Sequence, residues 1–335
     1  MSKLKIVFLG TPAIACGFLK DLHTSGHEVL GVISQPDKAK GRGLNICCPP
    51  VKNEADRLCL ETCQPASGAE LKETLVRLKP DLCVVVAYGR LIKEDALRVP
   101  GLGFVNVHFS LLPRYRGAAP VQWALINGET RTGVTVFWLD KGLDTGPVCA
   151  SSEVPIEPRD DARSLFAKLE FKGVALLREA LDDIARGKII KKPQTGSASC
   201  APRLTLADSW LDFSLSAKIN YDKIRGLSDG PRARFLIGAG AKRVAVQVLK
   251  ATLAPEPAAP LPHAANGCVC AIERGKGFFI KCSGSSLLIE EVQPEGKKPQ
   301  KAYDFLNGLR LKPGDALAIL GNKGTEAQSD KGSKL

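Results

Sequence analysis

Histidine is scarce in this sequence, and the few histidines present lack metal-site spacing. Four occur in 335 residues, at positions 23, 27, 108 and 263. None belongs to an HExxH motif or has another potential ligand at zinc-site spacing. We therefore expect neither a structural nor a catalytic metal ion.

The sequence also lacks CxxC pairs. Its eleven cysteines are odd in number and scattered along the chain. This pattern argues against a disulfide framework or a zinc ribbon. Cys83 and Cys149 lie inside apolar runs, where a free thiol packs as a small apolar side chain. We expect free thiols and a reducing compartment.

Long apolar runs are missing as well. No stretch of 18 apolar residues occurs, and the apolar part of the N-terminal MSKLKIVFLGTP stops after a few residues. Neither a membrane helix nor a secretory signal is predicted. The expected location is therefore cytoplasmic.

The two glycine-rich nucleotide-binding motifs are absent, and no nucleophile elbow is predicted. The sequence has neither GxGxxG nor GxxxxGK[ST], so a nicotinamide enzyme or a nucleoside triphosphatase is disfavoured. GxSxG occurs once, as GLSDG at 226–230, where no strand–turn–helix of an α/β sheet is predicted, so it does not indicate a nucleophile elbow. Direct transfer between two bound substrates is then more natural than a covalent intermediate on the protein.

Basic residues are in excess. Lys and Arg number 47 against 35 Asp and Glu, which gives a net charge of +12. Residues 201–335 carry 20 basic and 13 acidic groups, so the smaller part of the chain has the larger excess, +7. A polyanionic partner is the first interpretation, and a charge kept for solubility is the alternative.

The first two hundred residues alternate between strand and helix patterns. Short apolar runs predict strands at 5–9, 28–34, 81–87, 103–107 and 133–139, and helices are predicted at 13–24, 68–78 and 118–127. Repeated βαβ units predict an α/β fold with an open parallel sheet.

A long helix is predicted to end the first domain. Asp160 or Asp161 can cap it, and it extends to Gly187. We predict a first domain at 1–190, a linker at 191–205, and a flexible tail at 321–335. Short strand-like pieces at 243–250, 278–281 and 286–290 predict a β-rich domain at 206–320, for which a small barrel is one form.

Three polar residues follow or end strands of the predicted sheet. Asn106 and His108 lie two residues apart at the end of one strand, so their side chains share a face. Asp144 lies in the turn KGLDTG after the next strand. Ligands of open α/β sheets bind at this edge. Each residue alone has a structural explanation, a cap or an Asx-turn, so their joint placement is what indicates a site.

An amide, an imidazole and a carboxylate together suit acyl transfer to an amine. The amide and imidazole can stabilise the oxyanion of a tetrahedral intermediate, while the carboxylate orients the imidazole. The sequence does not indicate which group removes the proton of the amine.

The motifs of the chain resemble those of the methionyl-tRNA formyltransferase family. The matching segments occur in order: FLGTP near the start, QPDKAKGRG at 35–43, VVVAYG at 84–89, NVHFSLLPRYRGAAP at 106–120, TGVTVFWLDKGLDTG at 132–146 and APRLT at 201–205. The resemblance implies formyl transfer from 10-formyltetrahydrofolate to the α-amino group of methionine on initiator Met-tRNA. It also implies a Rossmann-like first domain and an OB-like second domain that contacts tRNA.

The resemblance implies a role for several residues. Asn106, His108 and Asp144 would be catalytic, and Arg42, Lys38 and Lys40 would contact tRNA. We expect the protein to act as a monomer. The folate donor would be bound by Tyr88, Gly89, Ser110, Leu111, Leu112 and Pro113.

The sequence departs from the family pattern at a few positions. Phe109 stands where the family has a small residue, which predicts a narrowed pocket beside His108. The aromatic, proline-rich stretch of the second domain is GLSDGPRAR at 226–234, and the usual Asp-Trp is Asp212-Phe213.

Related formyl-handling enzymes are alternatives. Glycinamide ribonucleotide formyltransferase, 10-formyltetrahydrofolate hydrolase and aminosugar formyltransferases share the Asn-x-His and Asp residues. The first would need no basic second domain, and the GLDTG form and the basic loop favour the tRNA enzyme over the others. A noncatalytic tRNA-binding protein would be basic too, but would have no reason to keep the three polar residues.

Overall fold

A computed structural model of the chain describes residues 3–40, 45–238, 243–255, 261 and 264–317, with only the backbone at 39–40 and 45–46. The predicted tail at 321–335 lies outside the described residues. The chain divides into a unit of 1–124 with 129–203 and a unit of 125–128 with 204–335. The division at 203/204 falls within the segment predicted as a linker, and the role of each predicted domain stays a prediction.

Five strands of the first unit match the predicted apolar runs: β1 (Lys5–Gly10), β2 (Glu28–Ile33), β6 (Leu82–Val86), β7 (Gly103–His108) and β8 (Arg131–Trp138). The described residues of this unit form four more strands that the sequence did not predict: β3 (Lys38–Lys40), β4 (Asn45–Cys47), β5 (Thr62–Cys63) and β9 (Val148–Pro155). β6 is buried throughout, as expected for a strand covered on both faces.

Helices alternate with these strands. They are α1 (Ile14–His23), α2 (Pro50–Arg57), α3 (Gly68–Leu78), α4 (Glu94–Leu97), α5 (Pro120–Ile126) and α6 (Ala162–Ala185). Helix α6 packs against α1, β8 and β9. Its buried residues, among them Leu165, Leu169 and Leu177, recur at helical spacing.

Seven strands form one sheet in the order β5-β2-β1-β6-β7-β8-β9. The first five run parallel, which confirms the predicted α/β class. β8 and β9 are antiparallel to their neighbours, so the sheet is mixed rather than wholly parallel. The strand order reverses between β1 and β6, and such a switch point is where open α/β sheets bind ligands.

The described residues of the second unit form an antiparallel sheet with two α-helices, which confirms the predicted β-rich domain. The elements are α7 (Ala217–Gly226), β10 (Arg234–Ile237), β11 (Val244–Thr252), β12 (Val269–Glu273), β13 (Gly277–Cys282), β14 (Ser285–Pro294), β15 (Gln300–Lys301) and α8 (Ala302–Leu309). The strand order is β10-β11-β14-β13-β12, and β15 pairs with β14. Within the described residues β10 and β12 do not pair, so a closed barrel is not seen there.

Helix α6 begins with a capping box at Asp161. The Asp161 carboxylate accepts the Ser164 amide at 2.9 Å, and the Asp161 amide donates to Ser164 Oγ at 3.1 Å. We expect Asp161→Ala to lower the free energy of unfolding of the first unit by about 1 kcal/mol, because the capping carboxylate is removed from the helix N-terminus.

Urea unfolding of the full chain measures this loss. Glu179→Ala is the matched control, because Glu179 is an exposed residue of the same helix. Its change should stay within about 0.5 kcal/mol. An equal effect of the two substitutions would contradict the role of the cap.

Candidate active site

β7 brings Asn106 and His108 to the carboxyl edge of the sheet. It pairs with β6 on one side and β8 on the other, which fixes the direction of both side chains. His108 is 5% exposed. Asn106 is partly exposed, and none of the described residues hydrogen-bonds its side-chain amide. The structure therefore leaves the Asn106 amide available to a ligand.

The tautomer of His108 follows from its neighbours. Nε2 lies 2.8 Å from the carbonyl oxygen of Tyr115. A carbonyl only accepts, so Nε2 carries a hydrogen and donates it. In the neutral ring Nδ1 is then unprotonated, and it faces Asp144 Oδ2 at 3.6 Å. Nδ1 is thus the nitrogen that can take up a proton.

Burial and charge act on the pKa of His108 in opposite directions. Removal of the ring from water, the largest effect, lowers its pKa below 6.5, while the Asp144 carboxylate and the Tyr115 carbonyl raise it. The net shift is downward, so His108 is neutral near pH 7. The nearby carboxylate would stabilise the imidazolium that a proton uptake creates.

Asp144 is held by the loop that follows β7. Its Oδ2 accepts the backbone amide of Gly117 at 2.8 Å. Tyr115, Gly117 and Asp144 have φ angles of +59°, +121° and +52°. Positive φ is unusual for Tyr and Asp, and such residues cluster at functional sites. A Cβ on Gly117 would lie 2.7 Å from the Ala201 carbonyl oxygen, so only glycine fits there.

The structure therefore brings His108 and Asp144 together, as the sequence analysis expected, with Asn106 on the same strand. It adds groups that the sequence did not indicate: the Tyr115 carbonyl and the Gly117 amide. Backbone groups have no sequence signature. The one available sequence signal was Gly117 itself, because a glycine in a loop after a strand often marks a special backbone conformation.

The predicted folate loop at 110–113 closes on itself and on β8. Ser110 is fully buried, and its Oγ donates to the Arg114 carbonyl at 2.6 Å. Thr135 Oγ1 donates to the Ser110 carbonyl at 2.7 Å and accepts the Leu112 amide at 3.2 Å. The Ser110 hydroxyl thus shapes the loop. The folate-binding role of the loop stays a prediction.

Tyr88 and Gly89 follow β6, beside the switch point of the sheet. The Tyr88 ring belongs to the core and is 2% exposed. Its carbonyl accepts Thr11 Oγ1 and Gln35 Nε2, each at 2.9 Å. The segment therefore joins three strand ends, and its role in folate binding stays a prediction.

Phe109 does not narrow the site. Its ring packs edge-on against Phe18 of α1 at 6.1 Å and Phe166 of α6 at 6.2 Å between centroids, and it is 6% exposed. The expected narrowing beside His108 is wrong, because neighbouring residues of an extended chain point to opposite faces.

The basic loop begins as a hairpin of β3 and β4. Lys38 is exposed, and its Nζ donates to Gln35 Oε1 at 2.9 Å. At its base, Asp37 accepts Lys52 Nζ at 2.8 Å and Gln64 Nε2 at 2.7 Å, and these contacts lower the pKa of Asp37. The Lys40 side chain and all of Arg42 lie outside the described residues. Their tRNA-binding role stays a prediction.

Neither a membrane-spanning helix nor a cluster of metal ligands is present among the described residues. Within those ranges no helix is both long enough and apolar enough to cross a bilayer. In the same ranges no three His, Cys, Asp or Glu residues are grouped as metal ligands.

Comparison with known proteins matches both units. The family described as "Formyl transferase" matches residues 4–181, and "Formyl transferase, C-terminal domain" matches 203–310. A methionyl-tRNA formyltransferase of Elusimicrobium minutum is 39% identical over 332 residues, covering 94% of this chain and 99% of the relative. That of Geobacter sulfurreducens is 39% identical over 326 residues, covering 96% and 99%.

Solved structures share the fold at low identity. An N-formyltransferase of Helicobacter canadensis, in complex with folinic acid and dTDP-3-aminofucose, has a TM-score of 0.63 and 20% identity, covering 85% of this chain and 98% of that chain. HypX of Aquifex aeolicus with tetrahydrofolic acid has a TM-score of 0.64 and 18% identity. The likeness covers 91% of this chain and 47% of the HypX chain.

The contact between His108 and Asp144 predicts a change in a titration. We expect Asp144→Asn to lower the pKa of His108 further, because the charge that raises it is removed while the burial that lowers it remains. The His108 imidazole signal in NMR spectra, followed against pH, measures this.

Asp140→Asn is the control for this titration, because Asp140 lies in the same loop and accepts the Gly142 amide instead. The pKa of His108 should be the same in Asp140→Asn as in the unmodified chain. An unchanged or raised pKa in Asp144→Asn would contradict the assigned contact.

Proposed function

Because the chain belongs to the methionyl-tRNA formyltransferase family, we propose that it transfers a formyl group from 10-formyltetrahydrofolate to methionine on initiator Met-tRNA. The acceptor is the α-amino group. The observation that carries this proposal is the buried His108–Asp144 pair beside the unpartnered Asn106 amide, at the carboxyl edge of the sheet that the described residues form.

The reaction begins with an uncharged amine. A free α-amino group has a pKa of about 7.7–8.0, so part of it is protonated near neutrality and must lose that proton. The amine nitrogen then attacks the formyl carbon, and the formyl oxygen gains negative charge. Asn106 is the donor for this oxyanion, since its amide hydrogens are not used by any described residue.

The His108–Asp144 pair handles the proton of the amine. Nε2 is occupied by the Tyr115 carbonyl, so Nδ1 takes the proton directly or through a water molecule. Asp144 stabilises the imidazolium across the 3.6 Å gap. When the tetrahedral intermediate collapses, the carbon–nitrogen bond to the folate breaks. The proton passes to that leaving nitrogen, which balances the transfer.

The formyl donor binds along the carboxyl edge of the sheet. The loop 110–113 and the segment Tyr88-Gly89 follow β7 and β6, so both border that edge. In this proposal they receive the folate. The folate compounds in the HypX and Helicobacter canadensis structures support a folate donor for this fold.

In this proposal, basic residues bind the tRNA through electrostatic attraction to its phosphates. Lys38, Lys40 and Arg42 form the basic hairpin, and residues 201–335 carry a net charge of +7. Both features suit a phosphate backbone. We assign the second domain, 206–320, to tRNA binding.

The enzyme works in the cytoplasm as a monomer. All eleven cysteines are free thiols, which suits a reducing compartment. A single chain supplies Asn106, His108 and Asp144.

An aminosugar acceptor is the second candidate. The Helicobacter canadensis structure, which holds dTDP-3-aminofucose, favours it on fold alone. Against it stand the 39% identity to methionyl-tRNA formyltransferases along nearly the whole chain and the basic second unit. Formyl transfer from 10-formyltetrahydrofolate to Met-tRNA, with free methionine and aminosugar nucleotides as controls, tests the proposal.

The three polar residues should each be needed for turnover. We expect Asn106→Ala, His108→Ala and Asp144→Ala to lower kcat about 10²- to 10³-fold, a loss typical of an oxyanion donor or of a general acid–base group. Paired substitutions should reduce kcat by less than the product of the single reductions, because the residues act together. Steady-state formylation kinetics measure both. Near-normal turnover of His108→Ala would remove it from the site.

The basic hairpin should contribute to tRNA binding but not to folate binding. Arg42→Glu and Lys38→Glu in the full chain should each weaken tRNA binding. Each should also flatten the slope of log affinity against log salt, by about 0.7–0.9 for every phosphate that is no longer neutralised. Binding of tRNA across a salt series measures this, and the affinity for the folate should not change.

Lys172→Glu is the matched control for the hairpin, because Lys172 is exposed on α6 and the substitution changes the charge equally. Its slope should equal that of the unmodified chain. The same slope in the hairpin variants would overturn the assignment of the hairpin to tRNA.

A further inference from the structure

The segment 191–205, predicted as a linker, is hydrogen-bonded to the candidate active site. Gln194 lies within it, and its side-chain amide makes four hydrogen bonds. Nε2 donates to the carbonyl oxygens of Asp144 at 2.8 Å and Gly146 at 2.9 Å. Oε1 accepts Arg116 Nε at 3.1 Å and Arg116 Nη2 at 2.5 Å. All of its donors and acceptors are therefore used.

The chemistry of the partners fixes the orientation of this amide. Two carbonyl oxygens only accept, and a guanidinium only donates. Rotating the Gln194 amide by half a turn would place oxygen against oxygen and NH₂ against guanidinium. Glutamate at this position would likewise set a carboxylate oxygen against two carbonyls. The site needs a group of this length that both donates and accepts.

Gln194 closes a ring around the catalytic carboxylate. Its Nε2 holds the Asp144 backbone, and its Oε1 holds Arg116. The next residue, Gly117, donates its amide to Asp144 Oδ2 at 2.8 Å. Asp144 is thus connected to the loop after β7 twice. Its main chain is connected through Gln194 to Arg116, and its side chain accepts the Gly117 amide directly. Such a ring restricts the position of Oδ2 relative to His108 Nδ1.

The same segment also supports the loop that orients His108. The Ser199 carbonyl accepts the Arg116 amide at 2.8 Å, and Ser199 Oγ accepts the Tyr115 amide at 2.8 Å. The Ala201 amide donates to the Arg116 carbonyl at 2.7 Å. Tyr115, whose carbonyl accepts a hydrogen bond from His108 Nε2, is therefore fixed by contacts with Ser199. Both partners of the imidazole depend on residues 194–201.

We propose that Gln194 is a positioning residue for the formyl transfer. It acts through Arg116 and the 144–146 turn to keep the Asp144 carboxylate facing Nδ1 of His108. The inference rests on the proposed function, because it assigns a role to a neighbour of the proposed catalytic residues. The role of Gln194 is indirect, because all four hydrogen bonds of its side chain go to protein groups.

The test combines Gln194→Ala with Asp144→Ala in the full chain. Gln194→Ala should lower kcat about 10- to 100-fold, as removal of a positioning group does, and leave the KM for Met-tRNA and for the folate within about threefold. In the Asp144→Ala background the same substitution should change kcat by less than about threefold, because its target is gone. Gln194→Glu, which keeps the side-chain volume, should reduce activity as much as Gln194→Ala.

Thr195→Ala is the matched control. Thr195 is the exposed next residue, and none of the described residues hydrogen-bonds its side chain. Its kinetics should equal those of the unmodified chain. Folate binding measured at equilibrium shows that each variant is folded, because a misfolded variant loses affinity as well as turnover.

The possible results separate the two proposals. An unmodified chain that does not formylate Met-tRNA, or an Asp144→Ala variant with normal turnover, overturns the proposed function or the role of Asp144. With both of these as expected, a normal kcat in Gln194→Ala overturns the positioning role. So does an effect that appears in KM alone, or one that is undiminished in the Asp144→Ala background.

Discussion

The hydrogen bond from His108 Nε2 to the Tyr115 carbonyl is the contact on which the rest of the site depends. It decides the tautomer of a buried imidazole, and therefore which nitrogen can accept a proton. With Nε2 occupied, Nδ1 is the ring nitrogen left to take up a proton, and Asp144 is the group placed opposite it. The Tyr115 carbonyl can fix the tautomer of His108 only if the loop that carries it stays in place. The proposed chemistry therefore depends on the stability of the 109–119 loop.

This loop and the turn that carries Asp144 keep their shape at a cost in backbone conformation. Tyr115 and Asp144 both adopt positive φ, which costs of order 1–3 kcal/mol for each residue. The surrounding contacts offset this cost. Thr135 on the antiparallel strand β8 lies directly opposite His108 and bonds the start of the loop, while residues 199–201 bond its end. The antiparallel direction of β8 and the extended path of the supposed linker thus both serve the site.

In our proposal, the parts of the chain that select the acceptor substrate differ from the parts that carry out the transfer. The residues that we propose act on the formyl carbon lie in the first unit. The chain shares its fold with the N-formyltransferase of Helicobacter canadensis at 20% identity. The fold therefore does not distinguish a sugar amine from an aminoacyl-tRNA. The basic hairpin and the basic second unit supply the difference in our proposal, since phosphate recognition depends on charge spread over a surface.

Sequence by itself determined the α/β class, the β-rich second domain and the candidates Asn106, His108 and Asp144. Apolar periodicity follows from which faces are buried, and polar residues at strand ends mark the edge where ligands bind. Only the tertiary structure decided the direction of β8 and β9, the burial of Phe109 between two helices, and the part that residues 194–201 take in the site. These depend on contacts between residues distant in sequence and on backbone carbonyl and amide groups, which no side-chain pattern records.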